Sequence, residues 1–230
     1  MNVAIIPARG GSKRIPRKNI REFCGQPMIA WPIRTALQSK LFDRVIVSTE
    51  DEEIAEAAQA SGAEAPFTRP AELADDHAGT TAVMAHAVQW LVDHGAVQRG
   101  ALACCIYATA PFVTAHDLED DPSLSYAISV TSFPFPIQRS VRMDPEGRLA
   151  MRYPEYRDTR SQDLEEAYHD AAQFYWGRLE AWRTENPLFD TDSAGVPIPR
   201  ARVQDIDTLE DWERAELIFQ TLFGKQRPSC

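Results

Sequence analysis

Val3-Ala4-Ile5-Ile6-Pro7-Ala8-Arg9-Gly10-Gly11-Ser12-Lys13-Arg14-Ile15-Pro16-Arg17-Lys18-Asn19 changes character within a few residues, from a wholly apolar run to a basic, glycine-bearing one. Residues 3–6 read as a short strand buried on both faces, as in a parallel sheet. Pro7 closes it, because proline has no N–H to give to a ladder. Between Arg9 and Arg21 stand six basic residues, Arg9, Lys13, Arg14, Arg17, Lys18 and Arg21, and no acidic one, in a chain of formal net charge -10. Gly10 and Gly11 permit positive φ and close approach to a ligand, so that successive N–H groups can form an anion-binding nest beside full positive charges. Open α/β sheets bind their ligands in loops that leave the carboxyl ends of strands, where this loop lies. The chemistry points to phosphate, and a triphosphate fits; a solvated basic surface is the plain alternative. The spacing is neither that of a Walker loop nor that of the dinucleotide fingerprint.

Outward from this loop, strand-like and helix-like segments alternate. Residues 28–41 keep helical spacing, with Pro27 suited to the start and Pro32 either in the first turn or kinking the helix. Val45-Ile46-Val47 reads as a second strand, and Ser48-Thr49 with Glu52 opens a helix that runs to Ala60 and is closed by Gly62. A third short strand is expected at 63–67, a helix at 80–94, a central fourth strand at 101–107 and a fifth at 127–131. Such alternation implies parallel pairing and a three-layer α/β fold. The proline-rich segment 133–138 cannot continue inside a sheet. Asp144-Pro145-Glu146-Gly147 makes a turn between strand-like 140–143 and 149–153, so a hairpin should project there. The aromatic residues Phe133, Phe135, Tyr153 and Tyr156 suit either an interface or a satellite core.

Near the end, Asp205 and Asp207 share a side if the segment is extended, which suits magnesium, since that ion takes hard oxygen ligands together with substrate phosphates. Capping of the helix at 209–222 by Asp207 or Thr208 is the competing role. Gly224 should end this helix and 225–230 should form a tail.

With 230 residues, 44% of them apolar and 25% charged, the composition is that of a globular chain with one core. Its acidic balance argues against nucleic acid as a partner. No apolar run approaches the ~20 residues of a membrane span and the start does not fit a signal peptide, so a cytoplasmic protein is expected. Four cysteines without a Cys-x-x-Cys pair, and five histidines without His-x-x-x-His spacing, argue against a zinc enzyme.

Three separated motifs, in order, carry a family resemblance. The basic loop is similar to the Ala-Arg-Gly-Gly-Ser-Lys-Arg-Ile-Pro-x-Lys-Asn signature of sugar nucleotidyltransferases that activate sialic-acid-like nine-carbon acids. Tyr107-Ala108-Thr109-Ala110-Pro111 stands where those enzymes have Gln-x-Thr-Ser-Pro. Arg160-Ser161-Gln162-Asp163, followed by the strand-like 168–176, matches their Arg-x-Gln-Asp-Leu segment. The chain thus resembles the acylneuraminate-type cytidylyltransferases over residues 3–212. The run from Asp170 to Trp176 departs from the Asn-Gly-x-x-Tyr pattern of the neuraminic acid enzymes and looks closer to the pseudaminic acid branch.

The resemblance implies a Rossmann-like nucleotide-diphospho-sugar transferase fold with a mostly parallel sheet. It implies one nucleotidyltransferase domain over 1–224, with 133–170 as a projecting arm that serves a homodimer and the sugar site. The implied reaction transfers CMP from CTP to the anomeric hydroxyl of a nonulosonic acid, with Mg²⁺ as cofactor. Arg9, Gly10, Gly11, Ser12 and Lys13 would hold phosphates, Lys18 and Asn19 phosphate and nucleotide, and Arg69 with Thr80 or Thr81 the nucleotide. Tyr107, Thr109, Arg160, Gln162 and Asp170 would meet the sugar acid, with His169 a possible base, and Asp205 and Asp207 would hold the metal. Neuraminic, legionaminic and 3-deoxy-octulosonic acids are alternative substrates, and a nucleotide-sensing protein without turnover is an alternative of another class.

Overall fold

In the computed structural model, residues 1–75, 78–98, 100–119 and 124–224 are described. The expected tail, 225–230, lies outside the described residues. In chain order the strands and helices are β1 (Asn2–Pro7), β2 (Glu22–Phe23), β3 (Gln26–Pro27), α1 (Ala30–Ser39), β4 (Arg44–Ser48), α2 (Glu52–Ala60), α3 (Thr80–Asp93) and β5 (Leu102–Ile106). They continue with β6 (Tyr126–Ser132), β7 (Val141–Met143), β8 (Leu149–Met151), β9 (Tyr168–Arg178), α4 (Leu179–Arg183), β10 (Ser193–Pro197) and α5 (Leu209–Phe223).

Six strands form one sheet in the order β10-β6-β9-β5-β1-β4. β1 pairs in parallel with β4 and β5, and β10 in parallel with β6, whereas β9 runs antiparallel between β5 and β6. Successive side chains of a strand face opposite ways, so each apolar run feeds two cores. Ala4 and Ile6 of β1 join Ile29, Ile33, Val47 and Ile54 on one side. Val3 and Ile5 join Met84, Val88, Leu91 and Trp182 on the other. A third cluster, Ile15, Phe23, Met28, Phe112, Ile206, Trp212 and Phe219, seats α5 beneath the basic loop. Ile15 is 1% exposed between the exposed Lys13-Arg14 and Pro16, so a buried apolar side chain pins the middle of that loop to the body.

Several expectations are refined. Pro32 sits in the first turn of α1, where no intrahelical N–H is lost. The cap of α2 is Asp51, whose Oδ1 accepts from Ile54 N at 3.0 Å, rather than Ser48 or Thr49. The strand expected at 63–67 reduces to two isolated bridges, Ile46 with Glu64 and Thr49 with Thr68. Pro66, which has no N–H to donate, lies between them and interrupts the ladder at this sheet edge. β7 and β8 do pair as a separate two-stranded hairpin off the main sheet. α5 begins at Thr208 in a capping box with Asp211 and ends at Gly224.

Candidate active site

The basic loop leaves the carboxyl end of β1 and is tied down at both ends. Asn19, 6% exposed, donates from Nδ2 to the Arg9 carbonyl at 2.9 Å, drawing the ends of the loop together. Arg17, at φ 56, forks onto Asp51, with Nη2–Oδ1 at 3.0 Å, and reaches Glu53 Oε2 at 2.6 Å. Hydrogen bonding from Arg17, joined by the Ile54 amide, holds the Asp51 carboxyl below its ordinary range. One aspartate therefore caps α2 and anchors the loop.

The two glycines serve differently from expectation. The positive φ in this loop falls at Arg17, not at Gly10 or Gly11. Gly10 is required by crowding, because a Cβ there would overlap the Asp51 carboxylate, while Gly11 faces open space. Gly10 N donates to Glu50 Oε1 at 2.7 Å, and Ser12 N donates to the Gly10 carbonyl at 2.9 Å. Arg9 donates from Nη1 to the Asp75 carbonyl at 2.9 Å, across the mouth of the loop.

The opposite wall comes from the segment before α5. Lys18 Nζ donates to the Ile206 carbonyl at 2.8 Å and lies 3.5 Å from Asp207 Oδ1, although 188 positions separate Lys18 from Ile206. Arg14 pairs with Asp207 at 2.8 Å. Ile206 is buried, and Asp205 and Asp207 flank it. Partial burial, then the neighbouring charge of Asp207, raises the Asp205 carboxyl above its ordinary value. Two oxygen-bearing side chains whose charges oppose each other fit a hard divalent cation, which would relieve that repulsion once Arg14 shifts from Asp207.

A second group of expected residues gathers beyond β5. Arg69 is 4% exposed and donates from Nε to Ser48 Oγ at 3.2 Å and from Nη2 to the Ser48 carbonyl. Its burial lowers its pKa, opposed by the charge of Glu50, and Arg9 is close enough to act on it. Thr80 Oγ1 lies 3.1 Å from the Tyr107 hydroxyl, which donates to Tyr175 at 3.3 Å, and Tyr175 donates to Asp170 Oδ2 at 2.5 Å. Burial pushes Tyr107 up to about 12. Thr81 sits one residue into α3, and Thr109 lies in the turn closed by Ala110 N on the Tyr107 carbonyl at 3.1 Å. His169 is exposed, with Nδ1 at 2.8 Å from the Asp170 carbonyl. Cys104 and Cys105 are fully buried and burial raises both thiols, so neither is a ready nucleophile.

Arg160 and Gln162 are not drawn into either group. They lie exposed on the arm, where Arg160 pairs with Asp163 through Nε at 2.7 Å. Three further anchors escaped sequence reasoning. Asp51 is one, and Tyr175 is another. The third is Arg202 with Asp117, joined Nη2–Oδ1 at 2.8 Å, where the carboxylate also accepts from Thr114 N and Oγ1 at 2.8 Å each. Burial alone would raise the Asp117 carboxyl, but the Arg202 and Thr114 bonds outweigh it and the net shift is downward. That pair fastens the 205–207 segment to the loop after β5.

Residues 3–121 match the cytidylyltransferase family. The chain belongs to that family. It is 41% identical over 225 residues to a pseudaminic acid cytidylyltransferase of Campylobacter jejuni, with 95% of this chain and 96% of that protein covered. It is 28% identical to an N-acylneuraminate cytidylyltransferase of Escherichia coli, covering 95% of this chain and 52% of that one. In fold, this cytidylyltransferase is similar to a solved CMP:2-keto-3-deoxy-manno-octonic acid synthetase complexed with CTP. That likeness has a TM-score of 0.68 at 20% identity and covers 96% of this chain and 99% of the other. The basic loop, Arg69 and Thr109 fall inside the matched residues, whereas the arm, β9 and Asp205 to Asp207 follow them. The chain is thus an enzyme of the nucleotidyltransferase class, with no helix among its described residues long and apolar enough to cross a membrane.

Proposed function

We propose that this enzyme transfers CMP from CTP to the anomeric hydroxyl of pseudaminic acid and releases pyrophosphate, in the cytoplasm. The observation that carries the reading is the meeting of the basic loop with Asp205 and Asp207 through Lys18 and Arg14. A cationic loop and a pair of carboxylates then lie side by side, as phosphoryl transfer to a hydroxyl requires. The similarity to the Campylobacter enzyme along nearly the whole chain supports the choice of acid.

In this reading Arg9, Ser12 and Lys13, with the Gly11 amide, bind the triphosphate, and Lys18 and Asn19 fix its approach. Charge developing as the hydroxyl attacks the α-phosphorus is met by positioned cations, the main source of rate in such transfers. Asp205 and Asp207 would hold Mg²⁺, which when bound supplies neutralisation of the phosphates. Arg69 and Thr81 line the nucleotide side, and Tyr107, Thr109 and Asp170 the sugar side. Residues 1–224 act as one unit, and the arm at 133–170 brings Arg160 and Gln162 to the site of a second copy in a homodimer. The exposure of Phe135 (78%), Met143 (70%) and Leu149 (66%) on that arm supports such a contact.

The test is pyrophosphate release from CTP and Mg²⁺ with pseudaminic, neuraminic, legionaminic and 3-deoxy-octulosonic acids under one condition. The highest kcat/KM is expected with pseudaminic acid. A higher value with another acid overturns the substrate, and no release with any of them overturns the activity.

A further inference from the structure

Thr80, Tyr107, Tyr175 and Asp170 come from the first turn of α3, the end of β5 and the two halves of β9, yet they stand in one row of hydrogen bonds of 3.1, 3.3 and 2.5 Å. The direction of that row is fixed by its last member. A carboxylate accepts only, so the Tyr175 proton goes to Asp170. The Tyr107 proton goes to Tyr175. Tyr107 has no other proton to give, so Thr80 donates to it. Each hydroxyl carries a single proton, and every one is spent in the same direction. Towards the outside the row presents lone pairs alone.

The fixed end is rigid. The other oxygen of Asp170 accepts from Ala172 N at 2.7 Å, at the register shift where β9 passes β6. Tyr175 is 2% exposed, while Thr80 and Tyr107 are only half-buried. A ligand can reach Thr80 and Tyr107 but not the residue that orients them. Across the site, the basic loop is the natural seat for phosphate and carboxylate oxygens, so the two sides divide anionic acceptors from neutral donors.

We propose that Tyr175 is a positioning residue which orients the row so that Thr80 and Tyr107 meet the sugar acid as acceptors only, selecting an acylamino N–H of the substrate. The inference rests on the nonulosonic acid reading and adds which group of the acid the Tyr107 side recognises. A site built to pair with a polar group discriminates strongly against an analogue lacking it, because its own buried atoms are left without a partner. With Phe at 175 the Tyr107 proton is no longer committed, and that discrimination weakens.

The experiment compares kcat/KM for pseudaminic acid and for its two analogues in which one or the other acylamino group is replaced by hydrogen. The parent enzyme should favour pseudaminic acid over one of the analogues by about 100-fold or more. In Tyr175→Phe that ratio should fall by about tenfold, with KM for the sugar acid raised and KM for CTP unchanged. Asp170→Asn keeps the size but can donate a proton into the row, and it should lower the same ratio; it decides the matter if Tyr175→Phe does not fold. A ratio unchanged in the folded variants overturns the proposal, as does a joint rise of both KM values, which marks a merely structural tyrosine. If the parent enzyme releases no pyrophosphate with pseudaminic acid, the functional reading itself fails and this inference with it. If it does and only the ratio persists, Tyr175 alone loses its role.

Discussion

The basic loop at residues 9–21 and the arm at residues 133–170 are both rich in arginine, and they use it in opposite ways. In the loop, cations bridge to distant parts of the chain: Arg17 to Asp51 and Glu53, Arg14 and Lys18 to Asp207. In the arm, Arg148 pairs with Asp144 and Glu146, Arg160 with Asp163, and Arg139 donates to the carbonyls of Arg157 and Thr159. The ion pairs of the arm stay within it and its apolar side chains lie outside, while the loop is assembled by the body. A binding surface held by long-range ties is set before ligand arrives, which lowers the ordering cost of binding. An arm whose ion pairs are local and whose apolar side chains stay exposed is expected to meet another surface.

Breaking the loop should have the largest effect. Lys13→Ala is expected to lower kcat/KM for pyrophosphate release by ~100-fold or more, through lost stabilisation of transition-state charge. An unchanged kcat/KM would refute the loop's role. For Asp207→Asn the expected loss is on the order of 10- to 100-fold, with a higher Mg²⁺ requirement. Asp205 sharpens this by pH. Its raised pKa means that it takes up a proton at higher pH than a free aspartate, so the apparent Mg²⁺ affinity should begin to fall earlier on acidification. Metal titrations that overlay between variant and parent would leave Asp207 only its ion pairs with Arg14 and Lys18 and Asp205 no part in metal binding.

The arm is tested by charge. Met143→Glu with Leu149→Lys should shift sedimentation from dimer to monomer and lower kcat/KM by about tenfold, while leaving thermal unfolding nearly unchanged, as surface substitutions usually do. A dimer that persists would assign those apolar side chains to something else. A smaller effect is expected at the joint between loop and body. Asp51→Ala removes a helix cap and the partner of Arg17, at a cost of about 1–2 kcal/mol of stability. Because the folded carboxyl is depressed, that contribution is present above pH ~4 and is lost as pH falls through the lower folded value. Urea midpoints of parent and variant should therefore converge in acid.

What the sequence made legible is what local chemistry determines. The apolar run at 3–6, the Thr208 cap and the turn at 144–147 each declare themselves within a few residues, and the basic cluster stands out against a chain of net charge -10. The partners do not. Nothing near Asp51 in the sequence says that it will sit under Gly10 and hold Arg17, and nothing near Asp117 points to Arg202, 85 positions away. β10 does not announce itself, because Ser193-Ala194-Gly195-Val196-Pro197 carries little of the β-branched or aromatic character of a strand; its place at the sheet edge comes from pairing with β6. Tyr107 stands out in the sequence, but its hydrogen-bond partner Tyr175 comes within reach only through the antiparallel insertion of β9 beside β5.

The smallest effect expected lies at the bend in β9. Ala172 has φ 49, a left-handed conformation that costs an L-residue of this kind about 1–2 kcal/mol and that glycine adopts freely. The bend turns Asp170 so that Ala172 N can close onto its carboxylate at 2.7 Å, and with it the tyrosine row is aimed. Ala172→Gly should relieve the strain, but the added freedom of the unfolded chain takes back ~0.4–1 kcal/mol. A net gain of about 0.5–1 kcal/mol, read as a higher urea midpoint at unchanged m-value, is the expected result. Because the φ is kept rather than altered, the sugar-acid KM should stay the same. If the variant is instead less stable, the methyl of Ala172 contributes packing that outweighs the backbone strain, and the bend is held by its neighbours rather than tolerated by them.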